Sequence, residues 1–445
     1  MYPKQTSFLI IGTKKSGYSS AKLLLEKGAI VYFYDDSPSQ SALKNQEELI
    51  SLGAKKLDDI SKGVDVADVL VLSPAVPIDS EVAIKFKEYG KRIIGELELG
   101  SYFITAPIIA VTGTNGKTSV CSIVSHVLSE SKIKNVLVGN IGVPITGKIK
   151  DITEDTFVVT EVSSFQLETT AKFTPHIACV LNLTEDHLNR HYTMQNYAYV
   201  KSKLVLNLRE SEYAVLNYDD DIVSDFSEKT RANVIWFSTR EKVDGAYLEN
   251  NDLKYDDEKI ISTTELKLSG EHNISDVLAS ICILKLVGVS NLEIHNALTT
   301  FKGVKHRIEL VYEKNGVSFY NDSKATNVDA TIKAINSMKK PTVLILGGYD
   351  KGLDYLELMK AVKENEFIKK VVLTGASSKT MFDCAMKEGV LEVSVIKEFT
   401  LAVRVAYKLA EEGWNVLLSP ATSSFDEFSG FEERGEKFVE IVTSF

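Results

Sequence analysis

Short aliphatic runs recur along the chain, and most of them close on a glycine, serine or aspartate before a stretch with helical spacing of apolar positions. "SFLIIG" leads through "GTKKSG" into the amphipathic "YSSAKLLLEKG" and then into "AIVYFYDD", a βαβ unit of Rossmann type. "ADVLVLSP" continues that block, which closes near "RIIGELELG". The runs "PIIAVTG", "TFVVTEV", "IACVLNL" and "YAVLN" form a second block, and "VSFYND", "PTVLILGG", "KKVVLTG" and "NVLLSPA" a third. Unbroken Val/Ile/Leu runs suit parallel strands covered on both faces. The expected fold class is α/β, in three α/β domains: an N-terminal Rossmann-like domain over 1–96, a central domain with a mostly parallel sheet over 97–303, and a C-terminal Rossmann-like domain over 304–445. The length, 445 residues, agrees with three domains of about 150 residues each. Ligands of such sheets sit beyond the C-terminal ends of strands, so the polar residues that close each run are the first candidates for chemistry.

Composition narrows the partners. The 61 acidic residues outnumber the 51 basic ones, for a net charge of −10. That excludes a general nucleic-acid binder, because phosphate backbones are held mainly by Lys and Arg patches. Cys121, Cys179, Cys282 and Cys384 are widely spaced without a CxxC pair, and are expected to be reduced thiols packed in cores. "MYPKQTSFLIIG" lacks the charged start, long apolar run and small-residue cleavage site of a signal peptide. No apolar run approaches the roughly 20 residues of a membrane span. A soluble cytoplasmic protein with no membrane partner is expected.

The strongest chemical signal is "PIIAVTGTNGKTSVCSIVSHVL", Pro107 to Leu128, a strand, a glycine-bounded turn and a helix. The common P-loop spacing G-x-x-x-x-G-K-[ST] would put glycine at 111, where this chain has Val111. The shorter "TGTNGKT" is nevertheless complete as a phosphate loop. Gly113 and Gly116 permit the tight turns that aim backbone N–H groups, with those of Thr114 and Asn115, at one phosphate. The helix N-terminus adds partial positive charge, Lys117 can reach the terminal phosphates, and Thr118 can ligate Mg²⁺. The central domain is thus P-loop ATPase-like. "DTFVVTEVSSFQLE" carries Glu161 at a strand end, as a Walker-B-type acid would be. Alone, such a glutamate is ordinarily a solvated loop residue; the P-loop upstream gives it a metal to serve. In "IACVLNLTEDHLNRHYTMQNYAYVKSKLVL", His187 follows Asp186 and Lys201 lies further on. A loop histidine and a helix lysine are ordinarily surface groups, and motif context alone does not single out Lys201. In the first block, Lys14 occupies the second glycine position of GxGxxG, where its side chain obstructs a dinucleotide pyrophosphate. A nucleotide-bearing substrate held by the turn and Asp35 is expected there instead.

Taken in order, "TGTNGKT", "EVSSFQLE", "NLTEDHLNRH…NYAYVKSK", "GEHN", "HRIE", "NDSKATN", "GGYDKG" and "LSPATSSFDEFSGFEERGEKF" are similar to the motifs of the Mur ligases, over essentially the whole chain. The short P-loop by itself is shared with folylpolyglutamate synthetases, whereas "NDSKATN" with "SSFDEFSGFEERG" resembles the D-glutamate-adding members. The resemblance implies an ATP-dependent amide ligase that adds D-glutamate to UDP-N-acetylmuramoyl-L-alanine through an acyl phosphate, in cytoplasmic peptidoglycan precursor synthesis. It implies ATP and two Mg²⁺ ions, with Mn²⁺ able to substitute. It also implies one domain for each substrate, closure of the C-terminal domain during turnover, and a monomer. A sibling ligase adding another amino acid, a folylpolyglutamate synthetase, a non-catalytic UDP-sugar binder and a Rossmann oxidoreductase are the competing readings.

Carried over position by position, the resemblance gives Lys117 and Thr118 to ATP phosphate and Mg²⁺, and Glu161 and His187 to a second Mg²⁺. Lys201 falls at the lysine that family members carbamylate, with Lys203 as a neighbouring competitor. Asn273 resembles the adenine-side residue, whereas Asp276 stands where the family commonly has Asn and is left out of the site. Arg307 and Lys324 resemble phosphate or intermediate contacts, and Asp322 the ribose contact. Thr326, Lys351, Ser424, Phe425 and Phe431 resemble the D-glutamate pocket. The UDP-sugar positions are Lys15, Ser16, Gly17, Asp35, Asp36, Ser73, Pro74 and, from the central domain, Asn140. "GTKKSG" departs from the family's glycine- and apolar-rich turn, and Ala75 stands where glycine is frequent. The basic pair in that turn is expected to contact the pyrophosphate. At least one of Lys14→Ala and Lys15→Ala should therefore raise KM for the nucleotide sugar, and unchanged KM in both would remove the contact.

Overall fold

The computed structural model describes residues 6–37, 39–267, 271–350, 352 and 354–445, so Lys351 lies outside the described residues. Two compact units divide the chain: residues 1–266 with 275–300, and residues 267–274 with 301–445. The first unit holds two sheets and the second holds one, and the α/β expectation holds in all three.

In the first sheet, β1 (Ser7–Ile11), β2 (Ile30–Tyr34), β3 (Lys55–Lys56), β4 (Val69–Leu72) and β5 (Arg92–Gly95) lie in the order β3-β2-β1-β4-β5, all parallel. Successive side chains of a strand point to opposite faces, and β1 shows the consequence. Phe8 and Ile10 join one apolar cluster while Leu9 and Ile11 join another. A strand with two buried faces has no room for polar alternation, which explains the unbroken apolar run.

The second sheet has nine strands. β6 (Ile108–Thr112), β7 (Asn135–Gly139), β8 (Phe157–Glu161), β9 (Ile177–Val180), β10 (Tyr213–Asn217) and β11 (Asn233–Ser238) are followed by β12 (Gly245–Glu249), β13 (Asp252–Tyr255) and β14 (Glu258–Ser262). The order is β14-β13-β12-β11-β10-β9-β6-β8-β7. Pairing is parallel from β7 to β12 and antiparallel across β12-β13-β14. Each of those two hairpins turns on a pair of left-handed residues, Asn250-Asn251 and Asp256-Asp257. Such pairs match the twist of adjoining strands, and Asn and Asp tolerate positive φ best after glycine.

The third sheet, in the second unit, runs β15-β16-β20-β17-β18-β19. Its strands are β15 (Glu309–Lys314), β16 (Val317–Asn321), β17 (Thr342–Gly347), β18 (Ile368–Thr374), β19 (Val393–Val395) and β20 (Asn415–Leu418). Only β15 is antiparallel, joined to β16 through Asn315-Gly316, another left-handed pair. Leu344 and Leu346 enter one core and Val343 and Ile345 the other, repeating the two-faced burial of β1.

Within the first unit the two sheets are joined by a seam without spare volume. A Cβ on Gly95 would lie 2.2 Å from Thr169 Oγ1, one on Gly100 2.3 Å from Ile145 Cγ2, and one on Gly147 2.9 Å from Ser19 Oγ. At the centre of the seam the Glu96 carboxylate accepts from the Thr146 backbone N–H (2.7 Å) and hydroxyl (2.8 Å), and Thr146 Oγ1 lies 2.9 Å from Ser19 Oγ. The other Glu96 oxygen is buried with no hydrogen-bond partner. Burial pushes this carboxyl up to about 7, against the pull of the two Thr146 donors.

A carboxyl raised in the folded state holds its proton to higher pH than in the unfolded chain. Its contribution is therefore fully present below about pH 4.5 and is lost as pH rises toward 7. Glu96→Gln keeps the acceptor for Thr146 and removes the titration. Its unfolding free energy relative to the parent is expected to climb by up to about 3 kcal/mol between pH 4.5 and 7. Urea unfolding of both proteins across that range checks this, and a pH-independent difference would be the contrary result.

Candidate active site

β6 lies between β8 and β9, so the loop that follows it opens where chain connections leave in opposite directions. That crevice is where open parallel sheets bind ligands. Val111 is wholly buried and pairs with Glu161 in register, so the strand itself occupies the place of the expected glycine and the loop begins later. Gly113 (φ +150°) and Gly116 (φ +89°) supply the turns. Neither has room for a side chain: a Cβ on Gly113 would lie 2.9 Å from Leu181 Cβ, and one on Gly116 2.2 Å from Asp276 Oδ1.

The loop is clamped from the β9 side. Asn182 accepts from Asn115 N–H (2.9 Å) through its side chain and from Thr114 N–H (2.9 Å) through its backbone, and its amide donates to Asn115 O (3.1 Å). Thr114 Oγ1 exchanges hydrogen bonds with the Thr184 backbone and lies 3.2 Å from Tyr197 Oη. Lys117, at the start of the helix Lys117–Glu130, donates back to Gly113 O (2.9 Å) and Thr114 O (2.7 Å). Thr118 donates to Glu161 Oε2 (2.7 Å), and Asn140 donates to the other Glu161 oxygen (2.7 Å). Asn140, expected at the nucleotide sugar, is thus also in contact with the acid of the phosphate site.

Lys201, on the helix Met194–Leu206, is almost fully buried, and its Nζ donates to the same Gly113 carbonyl (2.7 Å) above the Tyr197 ring. Burial and the nearby Lys117 charge hold its ammonium well below the usual lysine range. Lys203, the competing lysine, points elsewhere and donates to Glu168 O (2.9 Å). His187 adopts a left-handed backbone (φ +55°), and its ring lies 3.5 Å from an Asp186 oxygen. His191 is buried, 2.9 Å from Ser164 Oγ, and burial pushes its ring down to about 4, so it is neutral at physiological pH.

The hydroxyl of Thr118 and the carboxylate of Glu161, side by side above a phosphate loop, fit the all-oxygen preference of Mg²⁺. Among the described residues no group of three or more His, Cys, Asp and Glu side chains forms a ready-made metal cage. Mg²⁺ characteristically takes one or two protein oxygens plus phosphate and water, so this donor set suits it better than it would suit zinc.

In the first sheet, Asp35 at the end of β2 accepts from Thr13 N–H and Oγ1 (2.5 Å each) and from Ser37 N–H (2.8 Å). Burial opposes its charge, but these donors hold the carboxyl below the usual range. Ser73 Oγ donates to Ile11 O (2.7 Å), and a Cβ on Gly12 would fall 2.8 Å from Ser73 Oγ. A Cβ on Gly17 would collide with Gly12 O. The Gly12–Thr13 turn therefore meets Asp35 through Thr13 and Ser73 through Gly12, with exposed Lys15 and Asp36 and part-buried Ser16 and Pro74 adjoining in the chain.

The second unit gathers its own candidates at the ends of β16, β20 and β17. Asp322 is buried, accepts from Ser419 Oγ (2.7 Å) and Ile308 N–H (3.2 Å), and is pushed up to about 7 by burial, against Ser419 and the charge of Arg307. Lys324 Nζ lies 4.2 Å from the Phe431 ring centre. Ser424 is buried and Phe425 is 67% exposed. Arg434, which the sequence did not single out, ties these loops together. It donates to Ser323 Oγ (3.0 Å), Ser323 O (2.9 Å) and Thr422 O (3.0 Å) from a buried position. Thr326 is part-buried, and Asn273 is buried in the first turn of the helix Glu271–Val287.

Comparison with known proteins gives a consistent result. The profile of the Mur ligase middle domain matches residues 111–284, and that of the Mur ligase glutamate ligase domain matches residues 306–422. The chain is 42% identical over 451 residues to UDP-N-acetylmuramoylalanine–D-glutamate ligase of Thermoanaerobacter sp. strain X514, covering 99% of this chain and 98% of that protein. It is 40% identical over 449 residues to the enzyme of the same name from Clostridioides difficile strain 630, covering 99% of each. Among solved structures it shares its fold with UDP-N-acetylmuramate-alanine ligase of Thermotoga maritima (TM-score 0.64, 18% identity, 99% of each chain). MurF of Acinetobacter baumannii is similar in the same sense (TM-score 0.62, 16% identity, 92% of this chain and 90% of that one).

The loop geometry carries a direct expectation. Gly116→Ala combines a positive φ with a clash against Asp276 and should cost about 2–4 kcal/mol. Gly142→Ala, at φ +69° with open space around the position, should cost only the backbone strain of about 1–2 kcal/mol. Chemical unfolding of the two variants side by side checks the difference.

Proposed function

The chain belongs to the Mur ligase family, and from that premise we propose that it joins D-glutamate to UDP-N-acetylmuramoyl-L-alanine, with ATP converted to ADP and phosphate, in peptidoglycan precursor synthesis. The near-full-length likeness to D-glutamate ligases carries this reading. The phosphate loop with Lys117, Thr118 and Glu161 gives it chemical content.

In this reading the alanyl carboxylate attacks the γ-phosphate of ATP, ADP leaves, and the D-glutamate amine displaces phosphate from the acyl phosphate. Bringing a carboxylate onto a polyphosphate sets anion against anion, so the site must supply positive charge and alignment. The backbone N–H groups of 113–116 cradle the phosphates, and Lys117 exchanges its loop carbonyls for phosphate oxygens. Thr118 would hold one Mg²⁺, and Glu161 with His187 the second, supported by Lys201 once carbamylated; bound Mg²⁺ would neutralise charge on the transferring phosphoryl group. Burial and the Lys117 charge depress the Lys201 ammonium, which favours the free amine that adds to CO₂. The new N–C bond forms, a proton leaves to solvent, and the resulting carbamate oxygens are anionic. Arg307 and Lys324 serve the phosphates and the intermediate, Asn273 and Asp322 the nucleoside, and Thr326, Lys351, Ser424, Phe425 and Phe431 the amino acid. Lys15, Ser16, Gly17, Asp35, Asp36, Ser73, Pro74 and Asn140 serve the nucleotide sugar. Among the described residues no helix is long and apolar enough to cross a membrane, in keeping with substrates that are water-soluble.

ADP release is expected only when ATP, Mg²⁺, UDP-N-acetylmuramoyl-L-alanine and D-glutamate are all present. L-glutamate, L-alanine or diaminopimelate in place of D-glutamate should give background. Lys117→Ala should reduce turnover by about 10²-fold or more. Turnover with another amino acid, or without any, would sink the assignment.

A further inference from the structure

The segment that bears His187 also reaches the first sheet. His187 and Tyr192, both with positive φ, bracket the four-residue helix Leu188–His191. From within this short helix the Arg190 side chain extends to the loop after β4. The guanidinium forks onto Glu168, with Nη2 2.6 Å and Nε 3.1 Å from its two oxygens, and both side chains are largely buried (13% and 7% exposed). Its remaining donors turn to the loop after β4: Nη2 donates to Val76 O (3.0 Å), and Nη1 makes a longer contact to Ala75 O (3.5 Å). That loop is a closed turn, with Val76 N–H bonded to Ser73 O (2.9 Å), and Ser73 lies against Gly12. On the other side, the guanidinium carbon stands 5.0 Å from the Phe165 ring centre, and Phe165 packs on the His187 ring at 4.8 Å. One planar cation therefore touches the turn that begins the first-sheet site and the ring that supports His187.

We propose that Arg190 is a positioning residue that holds the nucleotide-sugar turn at Ser73–Val76 and the His187 side chain in one fixed geometry. It makes no contact with reacting atoms; it acts through Val76 O on one side and Phe165 on the other. The fork is what permits this. A guanidinium can bind both Glu168 oxygens and still present N–H groups to a carbonyl, whereas a lysine ammonium offers a single centre. The proposal rests on the ligase reading for the identity of the ligand.

The test compares Arg190→Met, which keeps bulk but no donor, with Arg190→Lys, which keeps charge but no fork. Affinity for UDP-N-acetylmuramoyl-L-alanine is measured by calorimetry without ATP, alongside KM for each substrate and the Mg²⁺ concentration for half-activation. Arg190→Met should weaken nucleotide-sugar binding by about tenfold or more, and Arg190→Lys by a smaller factor. The Mg²⁺ requirement should rise with it, while KM for D-glutamate stays within about twofold. Folded variants with unchanged nucleotide-sugar affinity would overturn the proposal. So would a uniform loss across all substrates that tracks a lowered melting temperature, since that is a purely structural role. If Arg190→Met does not fold, Arg190→Lys decides by the same criteria. A parent protein without D-glutamate-dependent ADP release would remove the ligase reading and this proposal together, whereas an active parent with indifferent variants removes this proposal alone.

Discussion

One backbone carbonyl, that of Gly113, takes hydrogen bonds from two lysines that arrive on different helices, Lys117 and Lys201. Two ammonium groups at one oxygen repel, and the low dielectric of a buried site strengthens the repulsion. Lys201, the more deeply buried of the pair, has its ammonium held well below the usual lysine range, by burial first and by the Lys117 charge second. Two lysines of the same intrinsic chemistry thus meet one carbonyl from environments that differ in burial, Lys117 part-buried and Lys201 almost fully buried. The difference lies wholly in where the fold puts them.

Keeping that arrangement requires the loop to be held from several sides. Asn182 fixes it from β9, and Thr118 ties its helix to Glu161 at the end of β8. Asn140, just past β7, takes up the second oxygen of Glu161. Each of these polar groups is satisfied by another, which matters because a buried donor or acceptor left alone costs about 1–3 kcal/mol. The seam between the two sheets follows a different rule. Gly95, Gly100 and Gly147 let backbone meet side chain without a Cβ between them, and Glu96 is buried against Thr146 with one oxygen unpartnered. Close approach and a costly buried carboxyl occur together there, which is the expected signature of a joint constrained by geometry more than optimised for stability.

Much of the fold is legible from the chain alone. Strands β1, β6, β8, β9, β17 and β20 are unbroken apolar runs because both their faces are covered, and the α/β class follows. The antiparallel extension β12–β14 stands out less in the chain, since its strands are short and its polar residues are frequent. Its signal was present nonetheless, in Asn250-Asn251 and Asp256-Asp257 at hairpin turns. The Val111 question also has a local answer: the residue belongs to a buried strand, and the loop is complete from Gly113.

The candidate site divides along the same line. Lys117, Thr118 and Glu161 could be chosen from sequence, because a phosphate loop is a contiguous motif and a strand-end acid follows it at a readable distance. Asn182, Tyr197, Arg190 and Arg434 lie inside the quoted stretches, yet nothing local marks their part, since each acts on residues far away in the chain. Lys201 stands out in the sequence only through the family resemblance, and only the packed structure supplies the burial that depresses its ammonium. Composition, strand pattern and contiguous loops are short-range properties, and the sequence by itself determined them. Burial, shared partners and like-charge proximity arise only when distant segments meet, so the tertiary structure alone decided which lysine ammonium is depressed, which arginine bridges two sheets and which carboxyls are raised.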